Sequence, residues 1–269
     1  MVAAGSPASG QRLYAAASRL AEICGAQLDA LFVEDSALLQ MASLPFARVV
    51  NADSARIESL DIETLARQIR AEADQLRALF FQTVSNQPWS GQFSVLHGNV
   101  CQQLLSQVSR RDVLVCATND SRLQSLSHLG QTLCGLLNAG RCSLWIEGGV
   151  SRAGGSIVSV VDRTPIPWHV IQQAVFWSQR RRAPFVCLVM AACPGAADVV
   201  QTITDFIAAA EIQSGEVVLA PSASDVIDLL ERYSADLLVL DAYRFRNAPE
   251  QLQHWLMYSM VSVLLATES

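Results

Sequence analysis

Short runs of Val, Leu and Ile alternate along this chain with longer stretches in which apolar residues recur at helical spacing. That is the pattern of βαβ units, whose parallel strands are buried on both faces and so read as continuous apolar runs. In the first half the strands are expected at residues 1–4, 28–33, 93–97, 113–117 and 143–146. In the second half they are expected at 157–161, 185–190, 216–220, 237–240 and 262–266. The two sets can be laid on each other. Asp112 falls on Asp236, 124 positions on, whereas Val33 falls on Val189, 156 positions on, so the first half carries about 32 extra residues between its second and third strands. This insertion runs from 36 to about 67, and Asp61 within it is a candidate cap for a helix over 62–82. Residues 147–155 hold four of the 14 glycines without periodicity and read as a linker.

The pattern therefore predicts an internal duplication of a doubly wound α/β unit, with one domain over 1–148, a shorter one over 155–269 and a linker at 149–154. One irregularity concerns the first strand, which would lie mid-sheet yet has only four residues before Gly5. A central strand usually needs about five. Either the start lies upstream or the first sheet has an abbreviated centre.

Composition narrows the chemistry. All 19 basic residues are arginine and none is lysine, against 25 acidic residues and a net charge of -6. A P-loop and a Schiff-base site both need lysine, so neither is available. The acidic balance and the lack of a basic stripe argue against nucleic acid as a partner. Arg180 to Arg182 end the amphipathic stretch 168–179, where cations suit the negative end of the helix dipole. No apolar run approaches the ~20 residues of a membrane helix, so no membrane partner is expected. The seven cysteines form no C-x-x-C pair and read as small buried hydrophobes in a reducing compartment, and a cytoplasmic location is the expectation.

Several stretches resemble the universal stress proteins. These are Gly5-Ser6-Pro7-Ala8-Ser9, Leu31-Phe32-Val33-Glu34-Asp35, Val95-Leu96-His97-Gly98-Asn99, Arg111-Asp112-Val113-Leu114-Val115 and His128-Leu129-Gly130-Gln131. The likeness covers the first half and, through the duplication, the second more faintly. It implies two tandem Rossmann-like, adenine-nucleotide α-hydrolase-like five-stranded parallel sheets of order 3-2-1-4-5, pairing through their fifth strands as an internal pseudo-dimer.

Some members of that family bind ATP beyond the carboxyl ends of strands 1 and 4, where doubly wound sheets place ligands. The resemblance marks such binders by an Asp ending strand 1 and by G-x-x-G-x9-G-[ST] after strand 4. Here the strand-1 position is Ala4, and the loop glycines fall on Ala117, Asp120 and Gly130, with Gln131 where Ser or Thr belongs. An Asp beside a polyanion is repulsive. The second half keeps Asp162, followed by Arg163 and Thr164, but its loop is about six residues shorter and lacks glycine.

The resemblance thus implies a non-enzymatic, stress-related binding or regulatory protein that does not hold ATP in the family's manner. No cofactor is expected, although AMP or adenosine needs no phosphate loop. If a small molecule binds, the expected clefts are Gly5, Ser6, Val33, His97, Gly98 and Gly130 in the first half, or Asp162 and Thr164 in the second. An adenine-nucleotide sensor or weak ATPase, and a scaffold docking a partner through residues 36–67, are the competing readings. A homo-oligomer or an internal pseudo-dimer is the expected assembly.

Other chemistry lacks an anchor. The four histidines, His97, His128, His169 and His254, have no ligand-type partner at i, i+4, so no metal is expected. No G-x-S-x-G elbow is present. Asp241 could face Asp162 and share a proton or a cation, but pairing of Asp241 with Arg244 or Arg246, and of Asp162 with Arg163, is the favoured expectation. The aromatic stretches 168–177 and 255–258 read as core at helical spacing.

Overall fold

The computed structural model describes residues 1–44, 48–50, 57–59, 61–85, 87, 90–117, 126–148, 154–210, 212, 214–246, 251–252, 255–256 and 261–268. The chain forms two compact units, one of Met1–Val108 with Asn119–Thr132 and the other of Ser109–Thr118 with Leu133–Ser269.

In the first unit, β1 (Val2–Ala3), β2 (Ala30–Asp35) and β5 (Phe93–Gly98) are parallel in the order β1-β2-β5. Strand β1 is two residues long and pairs with β2 at Val2–Ala30 and Ala3–Leu31, so it is as short as the residues before Gly5 suggest. Helix α1 (Pro7–Cys24) opens on Pro7, whose fixed φ suits a first helical position, and ends at Gly25 in the left-handed region (φ 61°). The insertion folds as α2 (Ser36–Ala42), an antiparallel hairpin of β3 (Arg48–Val50) and β4 (Ile57–Ser59), and α3 (Ile62–Val84). The hairpin leaves no signature in the sequence, because three-residue strands show no resolvable period. Asp61 does cap α3, accepting from the Thr64 N–H at 2.9 Å. Gly10 lets α1 and α3 approach, since a Cβ there would lie 2.6 Å from Leu76 Cδ2. Helix α4 (Val100–Gln107) follows β5.

The second unit contains β6 (Val113–Ala117), β7 (Ser143–Glu147), β8 (Ser156–Val161), β9 (Phe185–Met190), β10 (Gly215–Ala220), β11 (Ala235–Asp241) and β12 (Ser262–Ala266). Their order is β10-β9-β8-β11-β12-β7-β6. The second repeat, β8 to β12, thus shows the whole 3-2-1-4-5 sequence, and the first repeat shows it in two pieces, 3-2-1 as β5-β2-β1 and 4-5 as β6-β7. All pairings in this unit are parallel except β12 with β7, where Val263, Leu264 and Leu265 oppose Ile146, Trp145 and Leu144. The fifth strands of the repeats therefore pair, as the resemblance implies, and they run antiparallel. Strands β8, β9, β11 and β12 are buried at every position, which is why they read as unbroken apolar runs.

Helices α6 (Trp168–Arg181), α7 (Ala196–Ala209) and α8 (Ala223–Arg232) connect the strands of the second repeat, and α5 (Leu126–Ala139) precedes β7. Residues 149–153 of the expected linker lie outside the described residues.

Helix α6 ends on Arg180 to Arg182, where the helix dipole is the partner expected from the sequence. Arg181 instead reaches Asp236 Oδ2 at 2.5 Å and stacks 5.3 Å from both the Trp145 and Trp177 rings. The cause is burial: β11 brings Asp236 into the interior, and a charge there requires a partner. Asp112, its repeat counterpart, accepts from the Ser109 N–H and hydroxyl at 2.7 Å.

Candidate functional site

Strands β8 and β11 are neighbours, and their carboxyl ends release Asp162-Arg163 and Asp241 at the place where a doubly wound sheet binds ligands. The four charged side chains there cross over. Arg163 donates to Asp241 Oδ2 from Nε at 2.9 Å and from Nη2 at 2.5 Å, and Arg244 Nη1 lies 2.8 Å from Asp162 Oδ2. This corrects the expected pairing, in which each aspartate took an arginine from its own loop. Arg163, adjacent in sequence to Asp162, instead reaches across to the end of β11, and Arg244, in the 3-10 turn after β11, reaches back to the end of β8.

Asp241 is buried and heavily committed. Its other oxygen accepts from the Tyr243 N–H at 3.0 Å, capping the short 3-10 turn Ala242–Phe245 that begins where β11 stops. His169, in the first turn of α6, places Nε2 3.4 Å from Asp241 Oδ1 and Nδ1 3.8 Å from Glu268 Oε1. Burial acts to raise the Asp241 pKa, but the contacts from His169 and Arg163 and the Tyr243 N–H outweigh it. The carboxyl is held below its ordinary 3.8. A shared proton between Asp162 and Asp241 is thereby disfavoured, because each already faces a guanidinium.

The guanidiniums are also stacked. Arg163 lies 5.5 Å from the Tyr243 ring, and Arg244 lies 4.8 Å from Trp255 and 5.4 Å from Phe245. Trp255 is buried, so that part of the second aromatic stretch is core; residues 257–258 lie outside the described residues. Nearby thiols are quiet. Burial, and then the Asp162 charge, push the Cys193 thiol up, and burial takes Cys187 to about 12. Cys142, Cys187 and Cys193 are buried as expected, but Cys24 is exposed. The arrangement is a neutral set of two arginines and two aspartates, in which neither cation is left over for a phosphate. Thr164 stands exposed beside it.

The first-half candidates are spread over their unit. Ser6 is the extended residue before α1, and its hydroxyl meets Ser9 Oγ at 3.1 Å rather than capping the helix. Gly5 is half-buried in the same turn. Val33 pairs with Leu96, and His97 pairs with Glu34 across β2 and β5, His97 Nδ1 lying 2.9 Å from Glu34 Oε2. That contact was not foreseen, and only the register of two strands distant in sequence creates it. Gly98 takes φ 136°, with the Gln103 amide packed against it and donating to the His97 carbonyl at 3.0 Å. Ala4 is buried, and Ala117 ends β6. Gly130 sits a turn inside α5 rather than at its start, and Asp120 lies outside the described residues, as do the side chains of His128 and His254. Among the described residues no three His, Cys, Asp or Glu side chains converge on a metal position. No described helix is long and apolar enough to cross a membrane.

Comparison with solved structures settles the fold. A universal stress protein from Archaeoglobus fulgidus DSM 4304 superposes on all of this chain and on 96% of its own, with a TM-score of 0.71 at 11% identity. The chain has the tandem universal-stress-protein fold. The cytoplasmic domain of a prokaryotic cation chloride cotransporter matches 99% of this chain and 94% of its own, with a TM-score of 0.53 at 9% identity. A functionally unknown protein from Pseudomonas aeruginosa PAO1 matches 94% of this chain and 86% of its own, with a TM-score of 0.53 at 12% identity. No family model matches the sequence. No curated protein matches it either. At 9–12% identity these structures share the fold with this chain.

Proposed function

We propose that this tandem universal-stress-type chain is a non-catalytic, stress-related binding or regulatory protein that does not hold a nucleoside triphosphate in its second repeat. The observation that carries this reading is the crossed pairing of Arg163 with Asp241 and of Arg244 with Asp162. A polyanion entering there would have to displace two carboxylates from their guanidiniums, and the carboxylates would then oppose it. The turn after Asp241 supports the reading, because it carries no glycine and its Tyr243 N–H is already taken by Asp241 Oδ1.

The location in a reducing compartment and the lack of a resident cofactor belong to the same reading. Its test is calorimetry of the full chain with ATP and magnesium at neutral pH. No heat of binding is expected; tight binding that disappears in Arg163→Ala would overturn it, and binding confined to AMP or adenosine would move the site to the first-repeat cleft around Gly5, Ser6, Val33 and His97.

A second reading rests on its own observation. In the insertion and at the start of α3, Met41, Leu44 and Ile62 are 51%, 44% and 42% exposed, more apolar side chain than a solvated helix pair needs. This supports a partner docked on the segment 36–67. The cotransporter domain that shares the fold lends it weight, since there the fold is a domain of a larger protein. Removing residues 36–59 should abolish any complex recovered with the full chain.

A further inference from the structure

The second unit's strand order stops at β10, and this edge has an uncommon make-up. Its six residues, Gly-Glu-Val-Val-Leu-Ala, include a single charge and no proline, the two devices that usually blunt an exposed edge. The charge itself faces away, because Glu216 accepts from the Tyr233 hydroxyl at 2.9 Å, just past the end of α8. On the opposite face, Leu219 is 52% exposed.

The backbone phase of the edge follows from two bonds. Phe185 N–H donates to the Ser214 carbonyl at 3.0 Å and Ala191 N–H to the Ala220 carbonyl at 2.8 Å, at either end of the β9–β10 ladder. In a parallel ladder alternate residues turn both backbone groups toward the neighbour. Glu216, Val218 and Ala220 therefore face β9, and Gly215, Val217 and Leu219 face outward. Of these three, only Gly215 has a further backbone bond among the described residues, its N–H reaching the Ile212 carbonyl at 3.3 Å.

We propose that β10 pairs antiparallel with β10 of a second copy of this chain, about a two-fold axis at Val217. Self-complementarity selects both the partner and the register. With the axis there, Val217 bonds its own counterpart through both backbone groups, and each Leu219 N–H meets the Gly215 carbonyl of the other copy. Leu219 then lies opposite a residue without a side chain. Gly215 is held to glycine by its own packing, since a Cβ would stand 2.5 Å from Ile207 Cγ2 and 3.3 Å from Ile212 Cγ2, so the apolar side chains over Gly215 are the ones Leu219 of the other copy would meet. Glu216 faces Val218. Moving the axis to residue 216 opposes two Glu216 carboxylates, and moving it to Val218 leaves Gly215 outside the pairing and takes Leu219 away from it. The inference stands independently of whether any nucleotide binds.

The test is the mass of the full chain by sedimentation over a range of concentrations. A dimer is expected, and Val217→Pro should convert it to a monomer with unchanged circular dichroism, because it removes an outward N–H that the β9 ladder does not use. Leu219→Lys, which alters an exposed side chain only, should weaken the dimer at least tenfold. A wild-type chain that is monomeric throughout, or a dimer that survives either substitution in a folded chain, overturns the proposal.

Discussion

Arg163 leaves the end of β8 and binds Asp241 at the end of β11, while Arg244 returns from the loop after β11 to bind Asp162. The two contacts tie the loops of adjacent strands together, yet they are unequal. The Asp241 side chain is 3% exposed and that of Asp162 is 23% exposed. Removing a partner from a buried carboxylate costs about 3 kcal/mol, whereas a more exposed pair contributes about 1 kcal/mol or less. Urea unfolding should therefore show Arg163→Ala to be clearly more destabilising than Arg244→Ala. Equal losses would mean that the difference in burial between the two carboxylates does not set the cost.

The same pair sets an acid dependence. Asp241 has a folded-state pKa below its unfolded value, so the stability it contributes is complete above the ordinary carboxylate range and is lost as pH falls through the folded value. Unfolding free energy should be insensitive to this group from pH 7 down to about 5, then fall below about 4. The difference between the native chain and Asp241→Asn should shrink over the same interval. A difference that stays constant down to pH 2.5 would show that ionisation of Asp241 is not what holds the loops.

Arg181 joins Asp236 to the faces of Trp145 and Trp177. Lysine cannot reproduce a planar cation lying against two rings, so Arg181→Lys should already be destabilising, and Arg181→Ala should cost about 3 kcal/mol by leaving Asp236 without its guanidinium. Tryptophan fluorescence during thermal unfolding would read both, with a changed native-state emission as the specific sign that the stack is lost.

Gly148 follows β7 where it runs beside β12. A Cβ there would lie 2.4 Å from the Val261 carbonyl carbon and 2.8 Å from the Ser262 nitrogen. Both atoms are backbone and cannot rotate away, so Gly148→Ala should cost at least the 1–3 kcal/mol typical of overpacking. Gly25→Ala meets no atom within 4 Å, and only its positive φ resists the change; roughly 1 kcal/mol is expected there. Comparing the two melting temperatures checks that crowding of backbone dominates at the junction.

Much of the fold was legible along the chain because buried parallel strands write themselves as apolar runs. The runs at 113–117, 185–190 and 262–266 coincide with β6, β9 and β12. The Asp61 cap was equally plain, since the bond it makes spans three residues. Less of the site could be read. The alanine at position 4 and the missing glycines beyond β11 were visible, but the partners of Asp162, His97 and His169 were not. Those partners come from strands and loops some 60 to 100 positions away, brought close only by register.

Sequence alone determined that this chain is a duplicated doubly wound α/β protein without lysine chemistry, because period, length and residue type are local properties. Tertiary structure decided which arginine neutralises which aspartate, and that Arg181 ties the end of α6 to buried Asp236 rather than serving the helix dipole alone. It also decided that the fifth strands run antiparallel and that β10 offers its odd-numbered backbone groups outward. Each of those outcomes depends on the distance between atoms remote in the chain, and electrostatic and hydrogen-bonding energies are governed by that distance and by burial, not by separation along the sequence.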